Sequence, residues 1–196
     1  MSSLSSVKIA QILRKKNISI LKIVDFQRIF HLTNRNTSYK ILQRLVSYRI
    51  LERITPGMYM VSGSSLNDFV FANSLYTPSY ISLESALAYY GILEQFPFVV
   101  TSITLNKSKT IKYHKTFEYS HIDKKNYFGF MKDKEFLIAT PEKALVDTIY
   151  LMSKGLRNID LGGINKTNLN RKTFLFYSRQ ISSPQYRRFI KEHQLI

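Results

Sequence analysis

The sequence predicts an α+β fold with two domains. Three stretches with helical periodicity precede a β-hairpin in residues 1–62, and residues 63–196 mix helical patterns with period-two stretches. The chain has 196 residues, of which 44% are hydrophobic, and it contains no cysteine. It is therefore long enough for one large domain or two small ones, and disulfides and thiolate metal sites are excluded.

The positive charge is concentrated in the first third of the chain. Residues 1–62 hold eleven basic and two acidic side chains, a net charge of +9, whereas the longer remainder carries +7 of the total +16. A basic surface attracts polyanions, so nucleic acid is the partner that we expect. The alternative is a protein from a generally lysine-rich proteome. The sequence VSGSSLND, residues 61–68, has the composition of a short connection between domains 1–62 and 63–196.

Three helices are predicted in the basic region. The first runs from Leu4 to Lys16, the second through ILKIVDFQRIF, and the third through NTSYKILQRLVSYRI. The third helix has an apolar stripe, which consists of Ile41, Leu42, Leu45, Val46 and Tyr48. Its remaining surface is polar and basic, as suits contacts with base edges and phosphates, and consists of Arg35, Asn36, Thr37, Lys40, Gln43, Arg44 and Ser47.

A β-hairpin is predicted directly after the third helix. In ILERITPGMYMV, Pro56 presets the second position of a turn and Gly57 supplies the positive φ needed at the third. Three helices followed by a hairpin is the order of a winged helix-turn-helix, whose third helix enters the major groove while the wing contacts the backbone. Arg53, beside the turn, is predicted to contact phosphate. A helical bundle with a basic solvated face, or a winged helix that docks a protein, remain alternatives.

Residues 63–196 are predicted to combine helices with antiparallel sheet. Helices are expected at LNDFVFANSLY, SLESALAYYG and TPEKALVDTIYLMS, and in two pieces of the tail separated near Ser182–Pro184. Strands are expected at FVVTSITL, TIKYHKTFEY, YFGFM and EFLIA. We expect Ser82 to cap the SLESALAYYG helix, Glu84 to favour its first turn, and Gly91 to end it. Thr140 and Pro141 are expected to begin the TPEKAL helix.

The sequence shows no catalytic or metal-binding arrangement. The four histidines lack metal-ligand spacing, and Gly162-Gly163 has no phosphate-loop pattern around it. Glu142 and Asp147 lie about 140° apart around an ideal helix, so they do not converge, whereas Lys143 is placed to pair with Asp147. We therefore predict a protein that is not an enzyme and that needs no metal or cofactor. Spacing alone leaves a Ser, His, Asp triad undecided.

Two further features concern the ends of the chain. The helix predicted in SPQYRRFIKEHQL carries Arg187, Arg188 and Lys191, which form either a second nucleic-acid contact or an ordinary solvated face. The N-terminus lacks the apolar segment of a signal peptide, and no stretch has the length of a membrane span. A cytoplasmic location is the expectation.

Two stretches resemble a known family. PSYISLESALAYYGIL and FLIATPEKALVDTIYL are similar to the paired motifs of the AbiEi antitoxins of type IV toxin-antitoxin systems, in which a Ser-led helix ending in Gly precedes a sheet and a PEKAL-D helix follows it. The order of a winged helix-turn-helix ahead of these motifs also matches, so the resemblance spans residues 5–155. The tail beyond is shorter than in longer members. The matching positions are Ser82, Glu84, Ala86, Leu87 and Gly91, then Pro141, Glu142, Lys143, Ala144, Leu145 and Asp147.

The resemblance implies a protein with two roles. The N-terminal domain would bind inverted repeats of double-stranded DNA in its own promoter, as two copies on the DNA, and repress the operon. The C-terminal domain would counteract a nucleotidyltransferase-like toxin encoded alongside, and the type IV label implies that stable binding to this toxin is not required. Most motif positions are expected to define the fold, with an exposed Tyr89, rather than a buried Leu87, as the functional candidate.

Two rival functions remain open at this point. One is a winged-helix regulator whose second domain senses a small ligand. The other is a nucleic-acid-processing enzyme, for which Glu84, Glu142 and Asp147 would be the carboxylates to test.

Overall fold

The computed structural model describes residues 5–95 and 97–193. Leu4, where the first helix is predicted to begin, lies outside them. The chain has a mixed α+β fold, as predicted. It divides into two compact units, Met1–Leu66 and Asn67–Ile196. The boundary falls within the Gly- and Ser-containing connection.

The first unit combines helices with a small antiparallel sheet. Strand β3 lies between β1 and β2, and β2 and β3 form the hairpin. This arrangement is compatible with a winged helix. In chain order the elements are α1 (Ser6–Lys15), β1 (Ile20–Lys22), α2 (Ile23–Ile29), α3 (Arg35–Ser47), β2 (Leu51–Thr55) and β3 (Met58–Val61).

Two details of the first unit differ from the sequence prediction. The second helix begins at Ile23, because Ile20–Lys22 pair with β3 as strand β1. Tyr48, predicted to lie in the apolar stripe, is 63% exposed. Helix α3 ends at Ser47, and the chain then turns at Arg49, whose φ is +54°. Helical periodicity therefore no longer applies at Tyr48.

The second unit contains a six-stranded sheet with the strand order β6-β7-β5-β4-β9-β8. Helices α7 and α8 pack against α6. The elements are α4 (Asp68–Leu75), β4 (Ser79–Ile81), α5 (Leu83–Tyr89), β5 (Val99–Thr104), β6 (Lys109–Lys112), β7 (Thr116–His121), a 3₁₀ turn (Lys124–Asn126), β8 (Phe130–Asp133), β9 (Phe136–Ala139), α6 (Pro141–Ser153), α7 (Arg171–Gln180) and α8 (Pro184–Glu192).

The sheet contains antiparallel pairs, as predicted, but it also contains parallel pairs that the sequence prediction missed. Strand β5 is parallel to β7, and β4 is parallel to β9. Strand β4, which the sequence prediction missed, is only three residues long, too short for alternation to reveal it. Periodicity identifies strands, but the pairing between them depends on contacts that are distant in sequence.

Different helices pack against the two faces of this sheet. From β7, Tyr119 donates a hydrogen bond of 2.7 Å to the carbonyl of Ala72 in α4. On the opposite face, Tyr80 of β4 reaches α6, and Thr101 of β5 contacts the start of α5. Helices α5 and α6 also pack against each other, so the two motifs that carry the family resemblance share one layer.

No helix in the described ranges is both long enough and apolar enough to cross a bilayer.

Candidate functional site

The orientation of α3 is determined by its apolar side chains. Leu42 and Leu45 are fully buried, and the helix begins with Asn34, whose side-chain oxygen accepts a hydrogen bond of 3.0 Å from the backbone amide of Thr37. The opposite surface therefore faces solvent. All seven residues predicted to form the recognition surface are exposed: Arg35, Asn36, Thr37, Lys40, Gln43, Arg44 and Ser47.

The amino end of α3 carries an arginine that contacts a tyrosine one turn later. The Arg35 guanidinium donates a hydrogen bond of 3.5 Å to the Tyr39 hydroxyl, and its carbon lies 5.7 Å from the centre of that ring. A helix N-terminus carries a partial positive charge from its dipole. Arg35 and the helix end therefore present positive potential at the same point, which suits a phosphate.

The wing has the geometry that its sequence predicts. Pro56 and Gly57 form the turn, and Gly57 has a φ of +78°. A Cβ atom at Gly57 would lie 3.4 Å from Ile23, an ordinary contact distance, so the positive φ rather than lack of space favours glycine. Arg53 is exposed on β2, opposite Tyr59 of β3. Its cationic group is thus carried on a paired strand of the hairpin.

Acidic side chains do little to offset the positive charge of the first unit. Of its two acids, Asp25 accepts a hydrogen bond of 2.8 Å from Arg28, and Glu52 lies on β2. Helix α3 itself carries no acid. Its exposed surface, with Arg53 on the wing, forms the candidate nucleic-acid interface.

In the second unit, the two motifs meet at a buried charge. Asp147 of α6 and Lys143, one turn earlier, form an ion pair in which both residues are almost completely buried. The other carboxylate oxygen accepts hydrogen bonds from the Tyr80 hydroxyl at 2.9 Å and the Ser82 hydroxyl at 2.8 Å. The predicted pair between Lys143 and Asp147 is confirmed, and it lies in the core rather than on the surface.

Burial shapes the protonation of this cluster. Burial raises the pKa of Asp147, an effect that the charge of Lys143 and the hydrogen bonds to the carboxylate oppose. Burial, and then the neighbouring Asp147, raise the pKa of Tyr80 well above its ordinary value. The Lys143 ammonium also lies 4.6 Å from the ring centre of Phe128. Each polar group is therefore held by a partner inside the core.

Ser82 begins α5 as predicted, but its side chain does not make the capping hydrogen bond that the prediction assigned to it. Ser82 occupies the N-cap position, and its hydroxyl is instead committed to Asp147. Thr101 of β5 replaces it, because its hydroxyl oxygen accepts a hydrogen bond of 3.0 Å from the backbone amide of Ser85. Gly91 does end the helix as predicted, with a φ of +68°.

Glu84 has a partner that the sequence prediction missed. Its carboxylate accepts two hydrogen bonds of 2.8 Å from the Arg157 guanidinium, which also donates one of 3.0 Å to Glu118 of β7. Burial alone would lower the pKa of Arg157, but the two carboxylates outweigh it and raise that pKa. Arg157 therefore ties the start of α5 to the sheet.

Replacing Arg157 with alanine should destabilise the second unit by about 1–3 kcal/mol, because two partly buried carboxylates lose their common donor. Urea unfolding followed by circular dichroism measures this effect. Arg179→Ala, which removes an exposed arginine of α7, is the control and should leave the transition unchanged. Equal midpoints for Arg157→Ala and the parent would show that the pairing contributes nothing.

Tyr89 is not the exposed residue that the sequence predicts. It is half-buried, its hydroxyl donates a hydrogen bond of 2.7 Å to Asp133, and its ring packs edge-on against Phe69 and Phe136. The helical pattern placed Tyr89 away from the apolar face but did not reveal α4 and β9 beside it. Leu87 is fully buried, as expected.

The three candidate carboxylates do not form one site. Glu84 binds Arg157, Glu142 accepts a hydrogen bond of 2.8 Å from the backbone amide of Asn170, and Asp147 belongs to the buried cluster. Within residues 5–95 and 97–193, no three His, Asp or Glu side chains are grouped as metal ligands.

A second basic region lies at the end of the chain. Residues 67–153 contain nine basic and nine acidic side chains, so the +7 charge of the second unit arises entirely from residues 154–196. On α8, Tyr186 and Ile190 are buried, whereas Arg187, Arg188 and Lys191 are exposed. These three cations are available to a polyanion.

Comparison with known proteins adds no relative. No protein-family model matches this chain, and no curated protein is detectably similar to it in sequence.

Proposed function

We propose that this protein is a cytoplasmic repressor that binds double-stranded DNA sequence-specifically through α3 and the wing of its first unit. One observation carries the proposal: the exposed surface of α3 combines cations with amide and hydroxyl side chains, on a helix whose opposite face is buried. Cations bind the phosphates of any sequence, whereas amides discriminate between base edges.

The proposed roles within this interface follow from position. Asn36, Lys40 and Gln43 lie on the exposed side of the helix and read bases, with Thr37 and Arg44 beside them. Arg35, held by Tyr39 at the amino end, and Arg53 on the wing bind phosphates. Inverted repeats in the promoter of its own operon are the proposed target, occupied by two copies of the chain.

We further propose that the second unit is an antitoxin domain of the type IV class, which counteracts a nucleotidyltransferase-like toxin. The support is the resemblance of the two motifs, whose residues Ser82 and Asp147 are hydrogen-bonded in the core. On this view the motif residues maintain the domain, and it acts without catalysis.

Co-expression with the neighbouring gene tests the antitoxin role. The full chain should restore growth to cells in which that gene alone is toxic. A variant with Asn36→Ala and Gln43→Ala, impaired in DNA recognition, should still rescue when expressed from an independent promoter. Failure of the parent chain to rescue would refute the antitoxin role. If no neighbouring gene is toxic, a ligand-sensing regulator becomes the better interpretation. If the protein cleaves nucleic acid in the presence of a metal ion, and Glu84→Gln abolishes this cleavage, the protein is an enzyme.

Arg53→Ala should weaken binding to specific and unrelated DNA duplexes by similar factors, because it removes a phosphate contact and no base contact. The slope of log K against log salt should become shallower by about 1. Fluorescence anisotropy at several salt concentrations measures both quantities. Lys132→Ala removes an exposed cation of the second unit and should leave the slope unchanged. An unchanged slope for Arg53→Ala would remove it from the interface.

A further inference from the structure

A cavity of about 310 Å³ lies in the second unit between α6 and the chain that leads into α7. Leu145 and Ile149 of α6 are buried on one side, and Ile164, Leu169 and Phe174 line the other. Its volume is at the lower end of the range found for small-molecule sites, and its lining is mostly apolar, as in such sites.

The outer wall of this cavity is fastened to both motif helices. The backbone amide of Asn165 donates a hydrogen bond of 2.8 Å to the carbonyl of Ile92. The side-chain amide of Asn168 donates one of 2.8 Å to the carbonyl of Tyr90. The backbone amide of Asn170 donates a hydrogen bond to the Glu142 carboxylate. Glu142 is only 7% exposed, and its carboxylate accepts the hydrogen bond that positions this wall. Leu145, from the same motif, lines the cavity. The wall is thus hydrogen-bonded to residues of both motifs.

Two cations complete the lining. Lys166 and Arg171 line the same cavity and are exposed, and no acidic side chain lines it. Neither cation forms an ion pair with any described residue. An apolar interior with positive charge at an exposed edge is complementary to a molecule that has an apolar body and one anionic end.

We propose that this cavity binds an amphipathic monoanion, a small carboxylate with an aliphatic body. The body occupies the space beside Leu169 and Phe174, and the carboxylate pairs with Lys166 and Arg171. Because burial of each methylene adds to affinity, shortening the chain by one methylene should weaken binding about four-fold.

Titration of the full chain with sodium octanoate, followed by methyl and amide NMR signals, tests the site. We expect saturable shifts at Leu145, Leu169 and Phe174, weaker binding of hexanoate, and weak binding of octanol. The readout involves no DNA and no toxin, so its outcome is independent of the proposed function. An absence of saturable shifts, or shifts spread over surface lysines, would overturn the proposal.

Variants separate the two halves of the site. Lys166→Ala combined with Arg171→Ala should weaken octanoate binding about ten-fold or more and leave octanol unchanged. Lys172→Ala, an exposed neighbour of Arg171, should bind octanoate like the parent. Leu169→Trp, at a half-exposed position, should fill the cavity and block both ligands. Equal octanoate affinity in the double variant and the parent would refute pairing with the cations.

Discussion

Asp147→Ala should destabilise the second unit by about 3–5 kcal/mol, because it leaves the buried charge of Lys143 without a counter-ion. Lys143 has no exposed surface, so its ammonium cannot recover the loss by hydration. Tyr80 and Ser82 also lose the acceptor of their hydroxyl hydrogen bonds. Urea unfolding monitored by NMR, with signals assigned to each unit, measures the effect where it occurs.

Two variants control this result. Glu135→Ala removes an exposed acid from the same unit and should leave the unfolding midpoint unchanged. Lys143→Met combined with Asp147→Leu removes both charges together and should cost less than Asp147→Ala alone, because no unpaired charge remains. If Asp147→Ala unfolds at the same urea concentration as the parent, the ion pair does not stabilise the domain.

Asn36→Ala combined with Gln43→Ala should sharply reduce discrimination between the target duplex and unrelated DNA. A well-formed amide contact to a base contributes about 1–3 kcal/mol of discrimination, so the pair should lower the specificity ratio at least about ten-fold. Binding to unrelated DNA should change little, because the exposed cations of the first unit remain.

Competition binding at a single salt concentration, with the full chain and a duplex selected from a random library, measures that ratio. Gln11→Ala is the matched control, because Gln11 is an exposed glutamine on α1, outside the proposed interface. A specificity ratio in the double variant equal to that of the parent would remove α3 from base recognition.

The features that sequence predicted correctly depend on local physics. Leu42 and Leu45 determine which face of α3 is buried, and Pro56-Gly57 determines the turn. Thr140 caps α6 by accepting a hydrogen bond from the Lys143 amide, as expected of a Thr-Pro-Glu start. In each case the residues involved are neighbours in the sequence.

The features that sequence missed depend on distant partners. Glu84 and Arg157 are separated by 73 positions, and Ser82 and Asp147 by 65. The capping role predicted for the Ser82 side chain is what local chemistry favours, but a buried carboxylate competes for its hydroxyl. Likewise, helical periodicity alone predicts an exposed Tyr89, but Phe69 and Phe136 from other elements pack against its ring and bury part of it. Sequence alone therefore located the α3 surface better than the buried cluster.

An NMR titration of the full chain with its selected DNA duplex tests most directly whether the first unit recognises DNA. The largest shifts are expected at the exposed residues of α3 and at the wing around Arg53, with the buried core of α3 little affected. Shifts confined to the second unit, or no binding to any duplex, would contradict the claim that the first unit recognises DNA.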